Sequence, residues 1–374
     1  MRRLKKSMPS TFLFLISLFL ALEFFSFLFF YLNLGTTVYI PVYWINDFNQ
    51  HDTSRAWYTE YHEWGVWHKS SSKARHIKAC FSYEYFSNSY GARDSERSIN
   101  GKNRVVFLGD SFVEGWGIND KGRMTNILED HFGTEFLNFG SSRLGPLQYE
   151  IIYKNLANKF EHDHVIVGFL PENDFTDNDL KLWRSMPNVN ERYKPYYSED
   201  GKKIIYTREK PEEGTTVPKA NSWIKEMGKK YFWSYGLLRE IKWLLLKYKY
   251  IKNLTGSDYS GYRDALDYQI NNTLGSLLRI AEKAKRNNKS FTVVLFPVAN
   301  DYEAKKTGDL KIKRFFKDFA EKTKTNYVDL IDLIDFNEKL YHSCDGHWSP
   351  YGNLMAANAL IDVLPKITTI RIKR

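Results

Sequence analysis

Ser111 closes the run Arg104-Val-Val-Phe-Leu-Gly-Asp-Ser111, an apolar stretch that ends in Gly-Asp-Ser. A serine hydroxyl near neutral pH is a poor nucleophile and needs a base within hydrogen-bond reach, normally a histidine held by a carboxylate. Late in the chain, Cys344-Asp-Gly-His-Trp-Ser-Pro350 offers such a pair, Asp345 and His347, from a single loop. The third need is a set of donors for a tetrahedral oxyanion. Pro171-Glu-Asn-Asp174 places the Asn173 amide after another apolar run, and Asn138-Phe-Gly-Ser-Ser-Arg-Leu-Gly145 is a loop of small residues whose backbone N–H groups can approach a substrate. Taken together these residues predict attack of serine on an acyl carbon, with no metal or cofactor. Taken singly each has a plainer reading. Asp-Gly-His is a turn with a surface histidine, and Asn-Asp caps a helix.

The elements that must position these residues follow from periodicity. From Arg104 onward, short apolar runs alternate with helical stretches, the signature of a parallel sheet covered by helices. The strands are expected over Arg104–Leu108, Glu135–Phe139, Val165–Leu170, Phe291–Phe296 and Tyr327–Leu330. Helices are expected near Asp120–His131, Gln148–Phe160, Ala265–Arg286, Leu310–Lys322 and Pro350–Val363. In open parallel sheets ligands sit beyond the carboxyl ends of the strands, which is where Ser111 falls. Gly109 permits the turn that exposes it, and Ser349-Pro350 supplies a cap and first-turn proline for the last helix.

With these residues in order, the chain resembles the SGNH/GDSL hydrolases, in particular membrane-anchored bacterial members. Ser111 matches the family's Gly-Asp-Ser nucleophile, Asn173 its Asn-Asp oxyanion block, and Asp345 with His347 its C-terminal acid and base. Asn88-Ser-Tyr-Gly-Ala-Arg-Asp94 is similar to the lead-in of the anchored members. The resemblance covers roughly Arg104 to the C-terminus and implies a three-layer α/β/α, flavodoxin-like domain with five parallel strands. Two departures stand out. One residue, Gly346, separates Asp345 from His347 where the family usually has two. Arg143 occupies the place of the family's oxyanion glycine, with Gly140 and Gly145 on either side, so the second backbone donor is open among these three.

Upstream, the run Phe12–Leu34 carries only Glu23 as a formal charge. At ~1.5 Å per residue it reaches roughly 34 Å, enough to cross a bilayer core. No small-residue cleavage site follows Leu34, so a retained anchor is expected rather than a cleaved signal peptide. Arg2, Arg3, Lys5 and Lys6 precede the run and predict a cytoplasmic start with everything after Gly35 facing outward. Glu23 reads either as a contact with a partner helix or as a protonated, locally satisfied carboxyl. The expected organisation is flank and transmembrane anchor over 1–35, a loop-rich segment with Trp44, Trp57, Trp64 and Trp67 over 36–103, and the main domain over 104–374 with an insertion at about 175–264. Loops that long are uncommon unless they carry structure or function. Within the insertion, Tyr235–Tyr250 reads as an amphipathic helix, expected to dock on the core or lie on the membrane.

The net charge of +10 is shared between the basic flank and the lysine-rich stretch Gly201–Lys252, which could face anionic head groups or an acidic polymer. Nucleic acid is not expected as a partner. Cys80 and Cys344 are the only cysteines, which excludes a cysteine-rich zinc site and predicts a single disulfide. The resemblance implies an extracytoplasmic esterase acting on acylated glycan, lipid or a small ester. An O-acyltransferase with the same triad and a silent glycan-binding envelope protein are the alternatives.

Overall fold

A computed structural model describes residues 10–32, 34–35, 57–78, 80–184, 193–198, 203–206, 223–254, 259–308, 310–368 and 370. The basic flank Arg2, Arg3, Lys5 and Lys6, together with Trp44 and much of the lysine-rich stretch, lies outside the described residues. The chain opens with helix α1 (Ser10–Tyr31) and two small two-stranded sheets, β1 (Tyr58–His62) with β2 (Gly65–His68) and β3 (Lys73–Lys78) with β4 (Phe81–Phe86). There follow β5 (Val105–Gly109), α2 (Ser111–Glu114), α3 (Met124–Phe132), β6 (Phe136–Gly140), α4 (Pro146–Asn155), β7 (His164–Phe169), α5 (Pro171–Asp174) and α6 (Leu180–Arg184). The insertion continues with β8 (Pro195–Tyr197), β9 (Ile204–Tyr206), α7 (Trp223–Tyr231), α8 (Trp233–Leu254) and α9 (Gly261–Asp264). The chain ends with α10 (Asp267–Arg286), β10 (Ser290–Leu295), α11 (Ala299–Thr307), α12 (Lys311–Thr323), β11 (Asn326–Asp329) and α13 (Pro350–Ile367).

The main sheet has the order β11-β10-β7-β5-β6, with every neighbouring pair parallel. This is the 2-1-3-4-5 order of a flavodoxin-like sheet, and its direction of winding reverses between β5 and β7. All five strands fall within a residue or so of the predicted runs. Side chains alternate between the sheet's faces with the two-residue period of a strand. On one face Val106, Leu108, Val165, Val167, Val293 and Leu295 pack with α4, α10 and α12 through Ile152, Leu277 and Phe316. On the other, Val105, Phe107, Ile166 and Val294 pack with α3 and α13 through Leu128, Phe132, Leu360 and Leu364. Burial on both faces explains why these strands read as continuous apolar runs rather than alternating ones.

Among the described residues of the segment before the main domain, more regular structure is present than expected. In place of a loop-rich stretch it carries the β1–β2 and β3–β4 sheets, with Trp57, Trp64 and Trp67 buried. Phe81-Ser-Tyr-Glu-Tyr-Phe86 does alternate, Phe81 and Tyr85 buried against exposed Ser82 and Glu84, but four to six residues is too short a run for the pattern to stand out.

The residues fall into two compact units. One contains the main sheet, its helices and most of the two small sheets; the other contains α1, residues 77–81, α7 and α8. The predicted helix over Tyr235–Tyr250 is therefore part of α8 and belongs to the same unit as α1. Helix α1 is long and apolar enough to cross a membrane, a property it shares with signal sequences. Both cysteines, Cys80 and Cys344, are disulfide-bonded.

Candidate active site

Strand β5 runs into Ser111 through a turn that only glycine tolerates at its entrance. A Cβ on Gly109 would strike the Val113 side chain and approach the Gly168 carbonyl oxygen to 3.0 Å. The Asp110 side chain caps the short helix α2 by accepting from the Phe112 N–H at 2.9 Å, and Gly115 ends it at φ 84°. Ser111, 7% exposed, thus stands at the first position of a helical turn, where its own N–H has no acceptor within the helix.

The partner loop comes from between β11 and α13. A bridge between Tyr341 and Trp348 closes it, the His342 N–H donates to the His347 carbonyl at 3.0 Å, and Ser349 caps α13 through the Gly352 N–H at 3.1 Å. That frame holds His347 with Nε2 2.8 Å from Ser111 Oγ. Its Nδ1 is hydrogen-bonded to Asp345 Oδ1, which also accepts the His347 backbone N–H at 3.0 Å. One intervening residue is therefore enough for Asp345 and His347 to meet Ser111 in line.

Trp116 was not singled out by sequence, yet it completes this arrangement. Its indole Nε1–H donates to Asp345 Oδ2 at 3.2 Å, and its ring stacks on His347 with centroids 5.3 Å apart. Trp116 is braced from the β3–β4 sheet by an edge-on contact with His76 at 4.2 Å. His76 Nδ1 lies 2.7 Å from the Tyr85 hydroxyl, which accepts the Gly117 N–H at 2.6 Å. The small sheet thus props Asp345 and His347, a role with no local sequence signal.

Asn173 lies in α5, just past the end of β7, and donates from Nδ2 to Asp110 Oδ2 at 3.2 Å. A primary amide carries a second N–H on the same nitrogen. Asp110 is fully buried. Burial pushes its carboxyl up to about 6 against the lowering pull of the Phe112 N–H, His347 and Asn173. Its two oxygens hold the α2 turn and the Asn173 amide together, so it positions both beside Ser111.

The loop after β6 carries the three candidate backbone donors. The Gly140 N–H donates to Asn138 Oδ1 and the Gly145 N–H to Gln148 Oε1, each at 2.9 Å. Gly140 has another role: a Cβ there would collide with the Glu114 backbone, so glycine lets the loop lie against α2. Arg143 adopts φ 73°, the left-handed region that a glycine would occupy without strain. Its guanidinium sits 5.1 Å over the Tyr58 ring. Left-handed backbone costs a non-glycine residue about 1–2 kcal/mol, against about 0.5–1 kcal/mol of extra chain entropy for glycine and a similar loss of the ring contact. Arg143→Gly should therefore melt within a few degrees of the wild type and keep its turnover within a factor of a few. Arg143→Val, with a β-branched side chain that resists positive φ, should lower both. Equal losses in the two variants would show that the guanidinium, not the backbone, matters there.

Beneath that loop lies a buried polar cluster. Glu114 accepts from the Tyr58 hydroxyl at 2.7 Å and from the Ser142 N–H and hydroxyl, with His68 Nε2 3.4 Å away. Burial alone would raise the Glu114 carboxyl, but His68, Ser142 and Tyr58 together outweigh it and hold it down at about 2. Because the folded value lies below the unfolded one, this group stabilises the fold above about pH 4.5 and loses that contribution as pH falls toward 2. The contribution is about 3 kcal/mol. Chemical denaturation across that window should show a shallower acid loss for Glu114→Gln than for the wild type; parallel curves would remove Glu114 from the linkage.

No protein-family model and no curated protein matches the chain. Among solved structures, the chain is similar to TesA (8% identity, 71% of this chain and 99% of that one, TM-score 0.40). It is also similar to the psychrotrophic esterase EstA from Pseudoalteromonas sp. (10%, 71% and 97%, 0.38). A third is the acetyl xylan esterase Est2A from Butyrivibrio proteoclasticus (11%, 71% and 63%, 0.39). Others, such as one from Veillonella parvula DSM 2008, are described as members of the lipolytic G-D-S-L family (10%, 71% and 100%, 0.37). At such identities and TM-scores the activity of this chain has to be read from its own site.

Proposed function

We propose that this protein is an ester hydrolase that works through an acyl-enzyme on Ser111, removing acyl groups from a glycan or lipid of the cell envelope. The observation that carries this reading is the unbroken chain Ser111 Oγ, His347 Nε2, His347 Nδ1, Asp345 Oδ1 at the carboxyl end of β5. In the first step Ser111 Oγ bonds to the ester carbonyl carbon while its proton passes to His347 Nε2. Asp345 keeps Nδ1 as the protonated nitrogen and stabilises the imidazolium. The carbonyl oxygen, now an oxyanion, takes hydrogen bonds from the Ser111 N–H, the Asn173 amide and the backbone N–H of Arg143. Collapse breaks the bond to the alcohol, which leaves with the proton from His347. Water then repeats the sequence on the acyl-enzyme, giving the free acid and regenerating Ser111.

The His347 side chain is 26% exposed, so water can reach the base that must activate it. The anchor and the envelope substrate go together: α1 is apolar over a bilayer's width, and the basic flank before it favours a domain on the far side of the membrane. The test is full-length protein in detergent supplied with aryl acetates and with acylated glycans, with free acid measured against transfer to an added sugar acceptor. Release of free acid that depends on Ser111 is the expected result. Acyl transfer without acid release would replace hydrolysis by transferase chemistry.

A further inference from the structure

Glu23 is the one formal charge within the apolar run, and its carboxyl has a structural partner in its own unit. The first residues of α8 converge on it: the Trp233 N–H donates to Oε2 at 2.8 Å, the Ser234 N–H to Oε1 at 3.2 Å, and the Ser234 hydroxyl also to Oε1. These N–H groups belong to the start of a helix, where no backbone acceptor is available, so Glu23 serves as the cap that α8 lacks in its own sequence. Aromatic contacts surround the joint, with Phe19 against Phe232 at 5.5 Å and Phe27 against Trp233 at 5.2 Å.

The outer faces of α7 and α8 present exposed apolar side chains. On α7, Trp223 (74% exposed), Ile224, Met227 and Tyr231 share a helical face; on α8, Leu238, Ile241 and Leu245 recur at helical spacing, with Leu245 64% exposed. Soluble surfaces seldom carry such patches without something to cover them. What lies beside them is α1, itself exposed and apolar along its length, as at Phe14, Leu18 and Phe25. Glu23 stands eight residues before the end of α1 at Tyr31, which is about 12 Å along the helix axis. Interfacial helices bury their apolar face ~5–10 Å into the boundary between head groups and acyl chains, and lysine stems reach back to the head groups. The α7 sequence interleaves Lys225, Lys229 and Lys230 with its apolar residues, and the charged Arg239 and Lys242 of α8 are exposed.

We infer that α7 and the first half of α8 are an interfacial membrane element, immersed in the leaflet where α1 emerges and tethered to the span by Glu23, with the lipid bilayer as the partner of their apolar faces. The inference rests on the reading of α1 as a membrane span. It assigns part of the insertion to lipid contact and gives the intramembrane carboxylate a purpose.

The test uses the full-length chain in vesicles of phosphatidylcholine and phosphatidylglycerol, with a nitroxide on one introduced cysteine at a time. The native cysteines are disulfide-bonded and do not compete for label. The positions are Ile224→Cys, Tyr231→Cys and Leu238→Cys, with Phe14→Cys as the reference inside the span and Lys285→Cys as the aqueous reference. Collisions with oxygen should exceed those with a water-soluble nickel chelate several-fold at residues 224, 231 and 238, as at 14, and the ratio should reverse at 285. If 224, 231 and 238 behave like 285 while 14 stays in lipid, the interfacial element is rejected and the span survives. If 14 is aqueous too, both fall. In a Glu23→Ala background the ratio at 231 should drop toward the aqueous value with 14 unchanged; full retention at 231 would reject the tether.

Discussion

Ser111→Ala and His347→Ala are each expected to reduce kcat on an activated ester by about 10⁴-fold or more, and the double variant to be little worse than either. The reason is that the two side chains act as one device. With Ser111 Oγ 2.8 Å from His347 Nε2, removing the base leaves a hydroxyl that cannot shed its proton, and removing the hydroxyl leaves a base with nothing to deprotonate. Independent contributions would instead multiply. Steady-state and single-turnover rates on the folded variants, with circular dichroism to show that they are folded, decide between the two. Ser111→Ala removes a single hydroxyl from a buried position and leaves the β-carbon in place, so the variant should fold. Wild-type turnover in folded Ser111→Ala would overturn the nucleophile and the acyl-enzyme with it.

For Asn173→Ala the expectation is a fall in kcat of about 10²–10³-fold, some 2.7–4 kcal/mol, with KM nearly unchanged. Its amide already donates to Asp110 Oδ2, and the remaining N–H is of greatest use when negative charge develops on the substrate oxygen. An interaction realised only in the transition state lowers kcat and kcat/KM equally. A rise in KM with constant kcat would make Asn173 a ground-state binding residue instead. Asp110 makes the comparison sharper. Asp110→Asn keeps the shape but alters the partner of the Asn173 amide, so it should fall between wild type and Asn173→Ala.

Much of this was legible because local rules and tertiary structure agreed. The five strands could be read as apolar runs since both faces of the sheet are covered by helices, and Val105–Gly109 needed no alternation to be recognised. Helix α13 could be placed from Ser349-Pro350, and that cap is present. The β1–β2 and β3–β4 sheets were missed since their strands are short and their aromatic residues are buried by contacts that lie far away in sequence.

By itself the sequence determined the residue types of the site, their order along the chain and the strand ends that carry them, because strand and helix periodicity and capping act over a few residues. Only tertiary structure decided that His347 reaches Ser111 across a gap of 236 positions, that Trp116 holds the far oxygen of Asp345, that the Gly140 and Gly145 N–H groups are taken up by Asn138 and Gln148, and that Glu23 caps α8. Each of these depends on hydrogen bonds between groups brought together by chain reversal. A one-dimensional pattern holds no term for such contacts: the N–H that one acceptor satisfies is unavailable to the next, and which acceptor arrives is settled only when the layers pack.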